Sequence, residues 1–290
     1  MKVDRNLARD ISYASAVGSR TGRAVIRSLE NLTGRLKLIK MAQDYELEMA
    51  KGRDFWEIIP ERYGLSLNVQ RGSLANIPRT GPLVVISNHP YGILDGLMLG
   101  NMLSQTRGDF RVIAHHVFRK ASELNRVILP IAFDNSKESR EINLATRKQA
   151  LRFLAEGGCM GIFPGGTVST ALKPFGQPAD PEWRRFTARM IVKSNATVVP
   201  IFFAGHNSRL FQVASHISVT LRLALLINEF RGRVGGPVDV AIGEPILPDD
   251  MAPYSGDAAK LIDHLRTKTY DLDPTASGQH HYGYDWETAV

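Results

Sequence analysis

The chain has 290 residues, 43% of them hydrophobic, enough to bury one large core, alone or with an accessory segment. Lys and Arg number 36 against 29 acidic residues, a formal charge of +7 that favours anionic partners: acidic lipid headgroups, phosphorylated substrates or nucleic acid. A single cysteine, Cys159, excludes an internal disulfide and a cysteine-based zinc cluster and is compatible with a reducing cytoplasm, and no apolar run reaches the length of about 18 residues that a spanning helix needs.

Residues 1–57 read as helical. The opening MKVDRNLARDISYASAV scatters charges and lacks the apolar region of a signal peptide. Val25, Ile26, Leu29, Leu32, Leu36 and Ile39 then recur at steps of three and four. Eight basic and four acidic residues stand between Arg20 and Arg53. Such a segment either lies on an anionic membrane surface or caps the main fold with a solvated basic face.

Near residue 65 the texture changes. Leu65–Val69 alternates like a strand, Gly81-Pro82 marks a turn, and Leu83–Ser87 is a short apolar strand. Gly96–Leu103 reads as helix, and Phe110–Ala114 and Arg126–Ile131 as strands. Asn143 is placed to cap a helix through Leu144, Leu151 and Leu154 that ends at Gly157-Gly158. Cys159–Phe163 is a strand cut off by Pro164-Gly165-Gly166. Trp183, Phe186, Thr187, Met190 and Ile191 share a helical face, interleaved with Arg184, Arg185 and Arg189. That helix either packs on the sheet or touches a bilayer through snorkelling arginines. Ala196–Phe203 is the most apolar strand, Val238–Ile242 a late one, and Asp257–Tyr270 a closing helix. The nine-residue run Val219–Ile227 carries one charge, Arg222, and suits core packing or an apolar groove. Strands alternating with helices argue an α/β fold: a mixed, largely buried sheet flanked by helices, with an N-terminal helical segment. The expected division is 1–57, a basic helical segment; 58–270, the α/β domain; and 271–290, an irregular, loosely held tail.

Two stretches carry chemistry. In ISNHPYGILD a strand ends at Ser87, the place where open α/β sheets put ligands, and His89 is followed by Pro90, Gly92 and Asp95. If the turn folds Asp95 back on His89, the carboxylate fixes one tautomer and makes the imidazole a general base. Otherwise His89 is a strand-end histidine and Asp95 a helix cap. In Phe163-Pro164-Gly165-Gly166-Thr167-Val168-Ser169 a strand opens into two glycines and two hydroxyl residues. Its exposed N–H groups can cradle an oxyanion or phosphate, or it is simply a turn. There is no Gly-x-Ser-x-Gly elbow and no P-loop spacing. His115-His116 lack a supporting acidic ligand, so no metal is expected. His206 and Arg209 suit either a pocket or structural hydrogen bonds. Nothing resembles a zinc finger or an RNP motif, so nucleic acid is not an expected partner.

In this order the two stretches resemble the blocks of the lysophospholipid acyltransferase superfamily, with a glycerolphosphate acyltransferase-like fold. The NHP-x-G-x-x-DG form is most similar to its hemolysin-like, aminolipid O-acyltransferase branch. The family's third block is usually Phe-Pro-Glu-Gly-Thr-Arg-Ser; here Gly165 replaces the glutamate and Val168 the arginine. In the family those two are associated with positioning the acceptor lipid, so their loss suits an amino-acid headgroup better than a phosphate. The fourth block resembles Val198–Gly205 and the residues that follow. The resemblance implies catalytic His89 and Asp95, with Asn88, Arg140, Gly165, Gly166, Thr167 and Ser169 contacting substrate. It implies O-acyl transfer to a lysolipid from an acyl carrier protein or coenzyme A thioester, no metal or tightly bound cofactor, and peripheral association with an anionic membrane, the cytoplasmic face of the inner membrane. A hydrolase using the same His–Asp pair and a noncatalytic lipid-binding protein are the competing expectations.

Overall fold

The structure, a computed structural model, describes residues 12–16, 19–115, 122–132, 136–275 and 280–285. Most of the opening stretch read against a signal peptide, and His116 of the histidine pair, lie outside these residues.

Four helices open the fold: α1 (Arg20–Thr33), α2 (Arg35–Met41), α3 (Tyr45–Met49) and α4 (Phe55–Arg62). Next come β1 (Ser66–Arg71), β2 (Leu83–Ser87), α5 (Ile93–Thr106), β3 (Phe110–His115), α6 (Ser122–Val127), β4 (Ile128–Ile131), α7 (Lys137–Ala155) and β5 (Cys159–Ile162). A small hairpin, β6 (Thr170–Ala171) and β7 (Pro178–Ala179), precedes α8 (Arg185–Ser194) and β8 (Thr197–Phe203). The chain ends with α9 (Arg209–Ile217), α10 (Val219–Arg233), β9 (Pro237–Ile242), α11 (Pro248–Met251) and α12 (Ala258–Tyr270).

The main sheet has seven strands in the order β1-β9-β8-β2-β5-β3-β4. Strands β8, β2, β5, β3 and β4 run parallel, while β9 is antiparallel to β8 and carries β1 parallel to itself. The C-terminal ends of β2, β5 and β8 therefore share one edge. Strand β2 is buried throughout because both faces are covered. Val85 joins the core beneath α1, α4, α5 and α10, whereas Val84 and Ile86 join the core beneath α7, α8 and α12. Pro200 sits inside β8, where a missing N–H normally breaks a ladder. The fold tolerates it because β9 ends at Ile242, opposite Ile201, and just beyond that end Gly243 N–H donates to Pro200 O at 2.9 Å.

Several elements depart from the sequence expectations. The N-terminal apolar stripe is broken at Gly34 (φ +128), so its phase resets: Ile26 and Leu38 are buried while Val25, Leu32 and Leu36 face out. The boundary expected at 57 falls inside α4, whose Phe55, Trp56, Ile58 and Ile59 belong to the main core. Arg126 and Val127 end a short helix rather than begin a strand. Asn143 does not cap α7; Ser136 does, its hydroxyl accepting from Ser139 N–H at 3.1 Å. The Asn143 amide instead clasps the main chain of Ala132 at 2.8 and 3.0 Å, at the end of β4. Trp183 is buried ahead of α8 and Phe186 packs into the core, so core packing wins over bilayer contact there. The segment 280–285 is irregular but docked: Gly283 and Tyr284 donate to Asp180 O and Thr170 O at 2.8 and 3.0 Å, and Arg266 donates to His281 O.

Candidate active site

The His89 turn leaves β2 at the shared strand edge. The side-chain amide of Asn88 donates to Phe203 O at 2.9 Å and accepts from Phe203 N–H at 2.7 Å, tying the end of β2 to the end of β8. Asn88, expected to contact substrate, places its amide on that tie. Gly92 starts α5 with φ +93, and a Cβ there would press on Val168 at 3.2 Å and Leu226 at 3.4 Å. Only glycine suits both demands. Asp95 lies in the first turn of α5, where a carboxylate is favoured. Its Oδ2 accepts from Tyr91 N–H at 2.8 Å and Gly92 N–H at 2.9 Å. The same oxygen lies 2.9 Å from His89 Nδ1, with Asp95 fully buried and the His89 side chain 17% exposed. The approach is short but not aligned as a formed hydrogen bond. Catalytic contacts of this kind tighten when substrate binds. One oxygen of Asp95 thus accepts the Tyr91 and Gly92 N–H groups and lies beside the histidine.

The 163–169 loop closes over this turn. Phe163 stacks on the His89 ring, centroids 4.2 Å apart at 26°. Ser169 N–H donates to His89 O at 2.8 Å, and its hydroxyl donates to Asp180 Oδ1 at 2.5 Å. Ser169 is thus committed to the scaffold. Gly166 (φ +74) turns the chain with its N–H on Phe163 O at 3.0 Å. Thr167 is half-buried, its hydroxyl accepting from Arg222 at 3.2 Å. Among the described residues the N–H groups of Gly165, Thr167 and Val168 make no hydrogen bond. Arg140, the weakest sequence candidate, is exposed on the first turn of α7, and the structure gives it no contact with the His89 turn or this loop. A cleft of about 550 Å³ opens beside β3 and β4, lined by Arg111, Arg126, Leu129, Thr146, Gln149 and Phe153 among others, and shares no residue with the His89 cluster.

Two residues that the sequence reading passed over hold these loops. Asp180 is fully buried and accepts from His89 N–H at 3.1 Å, the Ser169 hydroxyl at 2.5 Å and Trp183 Nε1 at 2.9 Å. Burial raises its carboxyl above the ordinary aspartate range, opposed by those hydrogen bonds. Arg222, on α10, donates to Thr170 and Ser215 hydroxyls at 2.5 and 2.9 Å and to Val168 O at 2.6 Å. Burial pulls its guanidinium down to about 9, which leaves it charged at neutral pH. Its one sequence signal was a charge inside an apolar run. Asp180 had none.

A family model described as Acyltransferase matches residues 39–277. The chain belongs to this acyltransferase family. Two curated relatives are both named lyso-glycine lipid O-acyltransferase. The one from Phocaeicola vulgatus is 27% identical over 202 residues, covering 67% of this chain and 69% of the relative. The one from Bacteroides thetaiotaomicron is 27% identical over 236 residues, covering 76% and 80%. Among solved structures, the 1-acyl-sn-glycerophosphate (LPA) acyltransferase PlsC from Thermotoga maritima aligns at a TM-score of 0.48 and 14% identity, covering 91% of this chain and 87% of that one. The sequence departs from the more common third block at Gly165 and Val168, and a buried side chain lies against each of these positions. A Cβ on Gly165 would lie 3.2 Å from Asp180 Cβ and 3.3 Å from its carboxyl, so a carboxylate already fills the space beyond it. The guanidinium of Arg222 sits on the carbonyl of Val168.

Proposed function

We propose that this acyltransferase is a lysolipid O-acyltransferase acting on a lyso-aminolipid, with acyl carrier protein or coenzyme A as the thioester donor. The observation that carries the reading is the buried Asp95 carboxylate 2.9 Å from His89 Nδ1, at the strand edge where α/β sheets bind ligands. The names of the two relatives and the uncommon Gly165 and Val168 support an amino-acid headgroup.

Asp95 keeps the proton on Nδ1 and leaves Nε2 to accept the proton of the acceptor hydroxyl. The acceptor oxygen attacks the thioester carbonyl carbon and an oxyanion develops. The unengaged N–H groups of Gly165, Thr167 and Val168 are the donors available to it. As the intermediate collapses the carbon–sulfur bond breaks, and His89 returns its proton to the leaving thiolate. Asp95 stabilises the imidazolium in between. No helix among the described residues is long and apolar enough to cross a membrane, and the +7 charge suits an anionic lipid surface.

The test is acyl transfer by the purified chain, offered lyso-glycine lipid, a lyso-ornithine-type lipid and lysophosphatidate, each with both thioesters. A diacyl aminolipid that disappears with His89→Ala is the expected result. Product from lysophosphatidate alone refutes the acceptor, and free fatty acid released without any acceptor makes the protein a hydrolase.

A further inference from the structure

The hairpin that follows the 163–169 loop exposes an unusual set of side chains. Leu172 is 60% and Phe175 80% exposed, on the six-residue connection between β6 and β7. The packed helix α9 adds Leu210 at 62% and Ile217 at 70%, seven residues apart and so on one helical face. The two elements are fastened together. Ala171 N–H donates to Gln212 Oε1 and Ala171 O lies against His216 Nε2, each at 2.9 Å, which sets Leu172 beside the C-terminal half of α9. At the other end Arg209 donates to Phe175 O at 3.1 Å and Gly176 O at 2.8 Å, which sets Phe175 beside Leu210.

Phe175 is not exposed by default of order. Lys173–Gly176 is a tight turn closed by Gly176 N–H on Lys173 O at 2.9 Å, with Pro174 at its second position. The Arg209 clamp then leaves the ring facing outward on a rigid support. A tip of Leu and Phe flanked by the exposed cations Lys173 and Arg209 has the make-up of a bilayer contact: apolar insertion surrounded by charges that pair with lipid phosphates. Glu229, the carboxylate on the neighbouring helix, is spent on capping α9 through Ser208 at 2.6 and 2.8 Å.

Position gives the patch its meaning. Ser169 touches His89 O, and Leu172 is three residues further on, at most about 10 Å along the chain. We infer that the Leu172–Phe175 tip and the Leu210–Ile217 face of α9 insert into the lipid surface and hold the His89 edge of the sheet against the bilayer that carries the acceptor. This rests on the lipid-acceptor reading above and goes beyond it by naming the contact, a surface separate from the basic N-terminal helices. A second copy of the chain and an acidic carrier protein are the other occupants the test must separate.

Cys159 is fully buried, so Phe175→Cys can be labelled selectively with an environment-sensitive fluorophore. Glu156→Cys, at the opposite, N-terminal edge of β5, is the control. Vesicles of mixed zwitterionic and anionic phospholipid should blue-shift the label at 175 and leave the one at 156 unchanged. The variant Leu172→Asp/Phe175→Asp should bind these vesicles at least ten-fold more weakly. Its apparent KM for vesicle-borne acceptor should rise, with turnover of a water-soluble short-chain acceptor unchanged. No shift at 175, equal shifts at both positions, or full vesicle binding by the double variant overturns the proposal. So does a loss confined to carrier-protein binding or to self-association. Vesicle insertion at 175 in a protein that transfers no acyl chain to any lysolipid would leave the docking surface standing and reject the proposed reaction.

Discussion

The His89 turn and the 163–169 loop meet at one histidine and are built in opposite ways. In the turn the contacts of the carboxylate are local, although its main chain is tied to distant strands: Asp95 takes the N–H groups of residues three and four positions before it and faces His89 with the same oxygen. The loop borrows its support. Asp180 reaches Ser169 from 11 residues on and His89 from 91, and Arg222 reaches Val168 from 54. A local device can be read from spacing and altered one residue at a time. A borrowed one couples distant segments, so a change in the loop is felt at α10 and at the docked tail, and the reverse.

The largest expected effect lies in the turn. His89→Ala should lower acyl transfer by about 10²–10⁴-fold, the usual worth of a positioned general base, with the thermal unfolding midpoint nearly unchanged. A large drop in that midpoint would show that the Phe163 stack, and not only the imidazole chemistry, depends on His89. Asp95→Ala should lose most activity and also about 1–3 kcal/mol of stability, because two buried N–H groups lose their acceptor. Activity lost with stability unchanged would break the idea that one oxygen serves both purposes.

Effects in the borrowed support should be smaller in activity and larger in reach. Asp180→Asn presents an amide N–H₂ to one of three donors and should cost about 1–3 kcal/mol, with kcat reduced more than KM as the His89 main chain loses its anchor. Gly165→Glu, which restores the more common block, should destabilise by about 1–3 kcal/mol through overpacking and a second carboxylate beside Asp180. Combining it with Asp180→Ala should recover part of that loss, and a simply additive double variant would argue against shared space. The smallest effect is in pH dependence. Because burial raises the Asp180 carboxyl, the folded state binds its proton at higher pH than the unfolded chain does. Stability of the unmodified protein relative to Asp180→Asn should therefore fall as pH rises from the ordinary aspartate value to the raised one. Parallel curves of unfolding midpoint against pH would contradict that sign.

Much of the frame was legible. The strands at Leu83–Ser87, Thr197–Phe203 and Pro237–Ile242 follow from short apolar runs bounded by turn residues, and the strand-to-glycine break after Ile162 marks the loop. One misreading arose where a polar residue had two possible uses. Asn143 has the chemistry of a cap but lies in the body of α7 and serves the end of β4. Asn88 and Ser169 stand in motif positions, and their bonds to Phe203, His89 and Asp180 run between segments far apart in sequence, which spacing does not show. The tail looked unattached because its partners, Thr170, Asp180 and Arg266, are far away in sequence.

What the sequence determined by itself was an α/β sheet, the turn that leaves it after Ser87, and the placing of His89 and Asp95 six residues apart in that turn. These are local properties, set by alternation, by chain-bending residues and by a six-residue spacing that the first turn of a helix folds back on itself. The tertiary structure alone decided that Asp180 and Arg222 stand at the two positions where the third block is unusual, and that a clamped turn presents Phe175 outward. Hydrogen bonds between distant segments depend on which elements the sheet brings together, and a residue's spacing from its own neighbours carries no record of that.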